Sequence, residues 1–189
     1  MFSTLPKIVY GIGFLIFLVI RKYYEIKCRK REYTMSKKDI PEFFFITIAG
    51  IGMVIPLVYI FSKVLDFADY SRPEWFMWKG VAFLFIGTVM LWRSHHDLGK
   101  NWTIIPVITK KHTLITSGIY KHIRHPMYSA HFAWAIGQAL VLPNWIAGFS
   151  FLVSMIPMYL FRINKEEQIL IKEFGDEYKE YMKRTRRLI

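Results

Sequence analysis

Cysteine is almost absent from this chain of 189 residues. Cys28 is the single one, so no internal disulfide can form, and its place in a basic segment marks it as a bystander rather than a nucleophile. Histidine is too sparse for a membrane di-iron centre: His95-His96, His122-x-x-His125 and His131 belong to a set of only six. Four converging zinc ligands are missing as well, so no metal is expected. Nor is there a Rossmann unit. Gly11-Ile12-Gly13 and Gly50-Ile51-Gly52 lie inside apolar runs with no strand before them, and they read as small residues for helix packing. Acidic residues are few, 14 against 26 lysines and arginines, which leaves a net charge of +12.

What the chain has in quantity is apolar sequence: 53% of residues are hydrophobic and 17% aromatic, gathered in long runs. A hydrocarbon core about 30 Å thick takes roughly 20 apolar residues per helix, fewer where flanking side chains snorkel. Five runs meet that need: Leu5 to Tyr24, Phe43 to Leu65, Trp75 to Trp92, Met127 to Leu142 and Trp145 to Phe161. The first is a span rather than a signal peptide, because no small-residue cleavage site follows it and a basic segment does. Pro143-Asn144 supplies a tight turn between the last two, which are short. The expectation is an all-α, polytopic integral membrane protein with a single domain over residues 1–189. Spans fill 1–92, and a loop, a helical hairpin and a C-terminal helix fill 93–189.

Charge orients it. Arg21 to Lys38, Arg93 to Arg124 and Arg162 to Arg187 hold 22 of the 26 basic residues, whereas Asp66 to Glu74 carries three acids against Arg72. The positive-inside rule then places these basic segments and the C-terminus in the cytoplasm, with the N-terminus outside. That same asymmetry accounts for the excess charge through contact with anionic lipid head groups, so nucleic acid is not an expected partner.

Two polar clusters sit at the cytoplasmic ends of the hairpin. One runs from Gly118-Ile119-Tyr120 through Arg124-His125-Pro126-Met127-Tyr128; the other is Arg162-Ile163-Asn164-Lys165-Glu166-Glu167. Between Arg93 and Arg124 a polar segment of about thirty residues is interrupted by the apolar stretch Trp102 to Ile108, as a loop folding back on the membrane domain would be. Beyond Arg162, Ile169, Leu170, Phe174, Tyr178, Tyr181 and Met182 recur at helical spacing to about Lys183, as in an amphipathic anchor or a lid.

The stretch from His112 to Tyr128, followed after the hairpin by Glu166-Glu167 and then Phe174-Gly175-Asp176-Glu177-Tyr178, closely resembles the isoprenylcysteine carboxyl methyltransferase family. The resemblance covers the C-terminal half, with Ala130 standing where the family pattern has glycine. It implies S-adenosylmethionine held without a Rossmann fold in a cytoplasmic pocket. His112, Leu114, Ile115, Gly118, Tyr120, Arg124, His125, Pro126 and Tyr128 would then line the cofactor site. Glu166 or Glu167 would meet the cofactor's ammonium, and Arg162 would face the acceptor; these three make the catalytic set. The acceptor implied is a lipophilic carboxylate from the bilayer, such as a prenylated cysteine. Three other readings stay open: a phospholipid amine methyltransferase, a sterol-type reductase whose NADPH phosphate would call on Lys110-Lys111, and a membrane scaffold without catalysis.

Overall fold

A computed structural model describes residues 4–28, 40–102 and 113–189. Five α-helices carry the fold: α1 Leu5–Cys28, α2 Ile40–Phe61, α3 Trp75–Leu98, α4 Pro126–Val141 and α5 Trp145–Arg184, and no strand occurs among the described residues. One helix stands on each apolar run. By length and composition α2, α3 and α5 can cross a membrane. The 24 residues of α1 include Lys7 near one end and Arg21, Lys22, Glu25 and Lys27 toward the other, and α4 has 16 residues.

Two boundaries differ from the expectation. Arg93 to Leu98 are not loop; they continue α3, so Ser94, His95, His96 and Asp97 stand on its final turns. The amphipathic segment after Arg162 is no separate element either, since α5 runs on from Trp145 to Arg184. No glycine or proline falls between Phe161 and Phe174, so nothing there breaks the backbone ladder. The bend comes at Gly175, where φ is 54°.

Close backbone approach brings α3 and α4 together. A Cβ added at Gly137 would stand 2.7 Å from the Leu84 amide nitrogen, and one at Gly87 only 2.9 Å from the Ala130 carbonyl oxygen. Of the glycine pairs on α1 and α2, Gly13 packs against Trp134 and Gly52 against Ser150 and Ser154. Polar side chains inside the bundle satisfy one another. The Tyr10 hydroxyl donates to Gln138 Oε1 at 2.9 Å, the Gln138 amide donates to the Ala147 carbonyl at 2.8 Å, and Ser150 Oγ donates to the Gly52 carbonyl at 2.6 Å.

At the far end the hairpin turn is tied to the α2–α3 connection. Asn144 caps α5 by accepting from the Ile146 and Ala147 amides at 3.1 and 2.8 Å. Its side-chain amide donates in turn to the Leu65 carbonyl and to Asp69 Oδ1 at 2.7 and 2.8 Å. With that end fixed, the opposite ends of α1, α2, α4 and α5 converge on the two polar clusters.

Candidate functional site

The site is built from the turn that precedes α4. Gly118 opens a short 3-10 turn, Gly118–Lys121, with φ of +62°. The Asp97 carboxylate lies against it, accepting the Ile119 amide at 2.8 Å and Arg93 Nε at 3.0 Å. This anchor turns Tyr120 inward. The buried Tyr120 hydroxyl donates to the Ser94 carbonyl at 3.4 Å, while its own carbonyl accepts from the Tyr181 hydroxyl. The chain then meets its own C-terminal segment: the Arg124 amide donates to the Arg186 carbonyl at 2.8 Å and the His125 amide to the Arg187 carbonyl at 3.1 Å. Pro126, whose missing N–H costs nothing at a helix start, opens α4.

His125 lies between the two glutamates of α5, with Nδ1 3.5 Å from Glu166 Oε2 and Nε2 3.3 Å from Glu167 Oε1. Burial alone would lower its pKa, but the hydrogen bonds and charges of both carboxylates outweigh that and raise it. Glu166 also accepts from the Tyr128 hydroxyl at 2.7 Å and pairs with Arg162 Nη2 at 3.3 Å. Glu167 accepts from Arg124 Nη2 at 3.0 Å and from the Arg187 guanidinium. Burial pushes the Glu167 pKa up, yet His125 and Arg187 pull it down to about 2. Arg124 is committed further, since its Nη1 donates to the carbonyls of Met182 at 2.8 Å and Thr185 at 3.0 Å.

A cavity of about 400 Å³ opens beside this network. Arg124, His125, Tyr128, Arg162 and Glu166 line it together with the apolar Phe14, Leu18, Met53, Val54, Phe151 and Met158. Of the residues proposed from sequence, Tyr120, Arg124, His125, Pro126, Tyr128, Arg162 and Glu166 face this cavity. Leu114, Ile115, Gly118 and Glu167 are not among its walls; Gly118 supports the turn and Glu167 ties the C-terminal segment to His125. His112 lies outside the described residues, as do Lys110 and Lys111.

Sequence reasoning missed Glu42, Arg21 and Arg187. Glu42, on the first turn of α2, is fully buried, pairs with Lys165 and lies 3.7 Å from Arg162 Nε. A carboxylate at the mouth of an apolar run was the available signal, because such a charge needs a partner. Arg21 lines the cavity from α1. Arg187 sits in the tail and carried no signal of its own.

Residues 80–172 match the model of the "Isoprenylcysteine carboxyl methyltransferase (ICMT) family". The chain resembles this family over that stretch, just under half of its length. Protein-S-isoprenylcysteine O-methyltransferase B of Arabidopsis thaliana is 27% identical over 138 residues, 72% of this chain and 70% of that protein. The Homo sapiens protein-S-isoprenylcysteine O-methyltransferase is 35% identical over 119 residues, 62% of this chain and 42% of the relative. The Schizosaccharomyces pombe one is 31% identical over 109 residues, 57% and 46% respectively. The chain thus spans less than half the length of the human and fission-yeast ICMT relatives. The fold agrees with the family's: the structure of the eukaryotic intramembrane Ras methyltransferase ICMT superimposes with a TM-score of 0.61 at 20% identity, covering 95% of this chain and 66% of that one. With its apolar helices, that fold makes the protein a multi-pass integral membrane protein.

Proposed function

We propose that this protein is an S-adenosylmethionine-dependent methyltransferase that esterifies the carboxylate of a lipophilic acceptor drawn from the bilayer, with a prenylated cysteine as the leading candidate. One observation carries the reading. A single cavity joins a wall of guanidinium, imidazole and carboxylate groups to a wall of apolar side chains. An amphiphile with an anionic head and a greasy tail matches both.

The residues also fit the cofactor. Glu166 presents a carboxylate on the cavity wall suited to an α-ammonium, and Tyr120 and Tyr128 offer aromatic faces worth about 0.5–2 kcal/mol to a nearby cation. When bound, S-adenosylmethionine supplies an electrophilic methyl group on a sulfonium. Arg162 offers a planar fork for the acceptor carboxylate and holds it beside Glu166. A carboxylate is nucleophilic as it stands, so no side chain need remove a proton and the work of the site is alignment. His125, whose pKa its two glutamates raise, lies 3.5 Å from Glu166 and helps hold it in place.

Cavity charge speaks against an amine acceptor. Arg21, Arg124 and Arg162 face Glu166 as the only carboxylate among the described lining residues, and an ammonium would gain nothing from that surplus. The cavity opens on the cytoplasmic side in this reading, with the N-terminus outside; a tag after Ile189 should label from the inside and one near Ser71 from the outside.

Turnover decides the function. Purified protein given radiolabelled S-adenosylmethionine should methylate farnesylated N-acetylcysteine and neither its methyl ester nor phosphatidylethanolamine. Methylation of the lipid amine without activity on the free acid would replace this reading with the amine-methylating one.

A further inference from the structure

The cavity holds more guanidinium groups than the acceptor scheme uses, and they are not equivalent. Arg124 is bound to Glu167 and to two backbone carbonyls of the C-terminal segment. Arg162 has Glu166 Oε1 3.3 Å from one nitrogen and Glu42 Oε2 3.7 Å from another, so two carboxylates already screen its charge. Arg21 differs: no carboxylate of a described residue comes within ion-pair distance of it, and Glu25, one turn along α1, attracts it from farther away while paired with Lys22 at 3.1 Å. A half-buried guanidinium on a cavity wall, with no ion pair to a carboxylate of a described residue, is placed to receive an anion.

Helical register says which anion. Phe14, Leu18 and Arg21 stand at i, i+4 and i+7 on α1, and all three line the cavity. One stripe of this helix therefore runs from apolar side chains to a cation as it approaches the polar end. Ile46, Ala49, Met53 and Val54 of α2 continue the apolar wall. We infer that Arg21 is an acceptor-binding residue, which meets the acceptor's carboxylate from the α1 side while the acceptor's apolar tail lies along Leu18 and Phe14.

This inference rests on the carboxyl-methylating reading above and adds to it a second cation, on a different helix, that selects for an anionic head group. It also gives the two guanidinium groups separate tasks: Arg162, neighbour to Glu166, orients the carboxylate toward the methyl donor, and Arg21 supplies the less screened charge that draws it in.

The test compares wild type with Arg21→Gln and Arg21→Lys in detergent, measuring three quantities. Arg21→Gln should raise KM for farnesylated N-acetylcysteine at least tenfold with kcat within about threefold of wild type, and Arg21→Lys should fall between. S-adenosylmethionine affinity by calorimetry should stay unchanged, which also reports an intact fold. Inhibition by the neutral carboxamide of the same acceptor should be as strong in Arg21→Gln as in wild type, an equality that a merely structural role for Arg21 would not produce. An unchanged KM in Arg21→Gln overturns the inference and leaves the methyltransferase reading standing. Loss of S-adenosylmethionine affinity in both variants overturns it in favour of a contact between Arg21 and the donor's own carboxylate. Wild-type protein that binds S-adenosylmethionine but never methylates the acid removes the function itself, and this inference with it.

Discussion

Glu166 and Glu167 are adjacent on α5 yet hold opposite edges of one imidazole, His125 Nδ1 facing Glu166 at 3.5 Å and Nε2 facing Glu167 at 3.3 Å. From there their surroundings part. Glu166 lines the cavity, while Glu167 gathers Arg124 and Arg187 and so fastens the C-terminal segment to the turn before α4. Substitution should separate them. Glu166→Ala should weaken S-adenosylmethionine binding by about 1.5–3 kcal/mol, the range of a hydrogen bond to a charged group, as read by calorimetry. Glu167→Ala should act first on the fold, costing about 3–5 kcal/mol because buried cations lose their counter-charge, as read by thermal unfolding in detergent. Equal loss of donor affinity in both variants with no change in stability would refute the division.

The same triad sets a pH window. The folded pKa of His125 is raised above the ordinary 6.5, so its contribution is complete below 6.5 and is lost as pH rises through the folded value. Glu167 is lowered from 4.5 to about 2, so its contribution is complete above 4.5 and is lost as pH falls toward 2. Thermal stability of the purified protein should therefore be broadly level between about 4.5 and 6.5 and should decline on both sides. His125→Gln should flatten the alkaline decline and leave much of the acid one; an alkaline limb unchanged in that variant would assign it to another group.

The helices were legible because apolar runs of membrane length have few other uses, and the turn at Pro143-Asn144 was legible because proline and asparagine state their backbone needs locally. Glu42 was harder. Its partner Lys165 lies 123 positions away, and nothing in the run around Glu42 says which helix will supply the cation. The clasp between residues 124–125 and 186–187 had no signature at all, since it is made of backbone amides and carbonyls that every residue carries. Reading Arg162 as the start of a new helix went astray because a change from apolar to charged composition resembles a boundary, although only a break in backbone geometry makes one. That break is at Gly175.

Gly118 gives a prediction independent of any ligand. Its φ of +62° already disfavours other residues, and an added Cβ would come within 2.1 Å of Asp97 Oδ2. Gly118→Ala should destabilise the protein by about 1–3 kcal/mol and disturb the turn that carries Tyr120. Asp97→Ala removes the obstacle along with the Ile119 amide's acceptor. The double variant should then lose less stability than the two single losses added together, because part of the Gly118→Ala penalty is contact with a carboxylate no longer present. Additive losses in thermal unfolding would mean that backbone strain alone accounts for the glycine.

Arg162 separates charge from shape. Its guanidinium lies one helical turn from Glu166 and also near Glu42, so the two carboxylates bracket the fork and limit how it can turn. Lysine in that place keeps a positive charge but offers a point rather than a plane, and it cannot address both oxygens of an acceptor carboxylate in one orientation. Arg162→Lys should therefore cut kcat for farnesylated N-acetylcysteine by at least tenfold, because alignment is what the site contributes. Donor affinity by calorimetry should stay within about twofold, since Glu166 keeps its hydrogen bond from Tyr128 and its place beside His125. Raising acceptor concentration should not restore the rate, as a defect in alignment lies in kcat rather than in KM. If KM alone rises and kcat is retained, Arg162 holds the acceptor by charge and the orientation must come from elsewhere in the cavity.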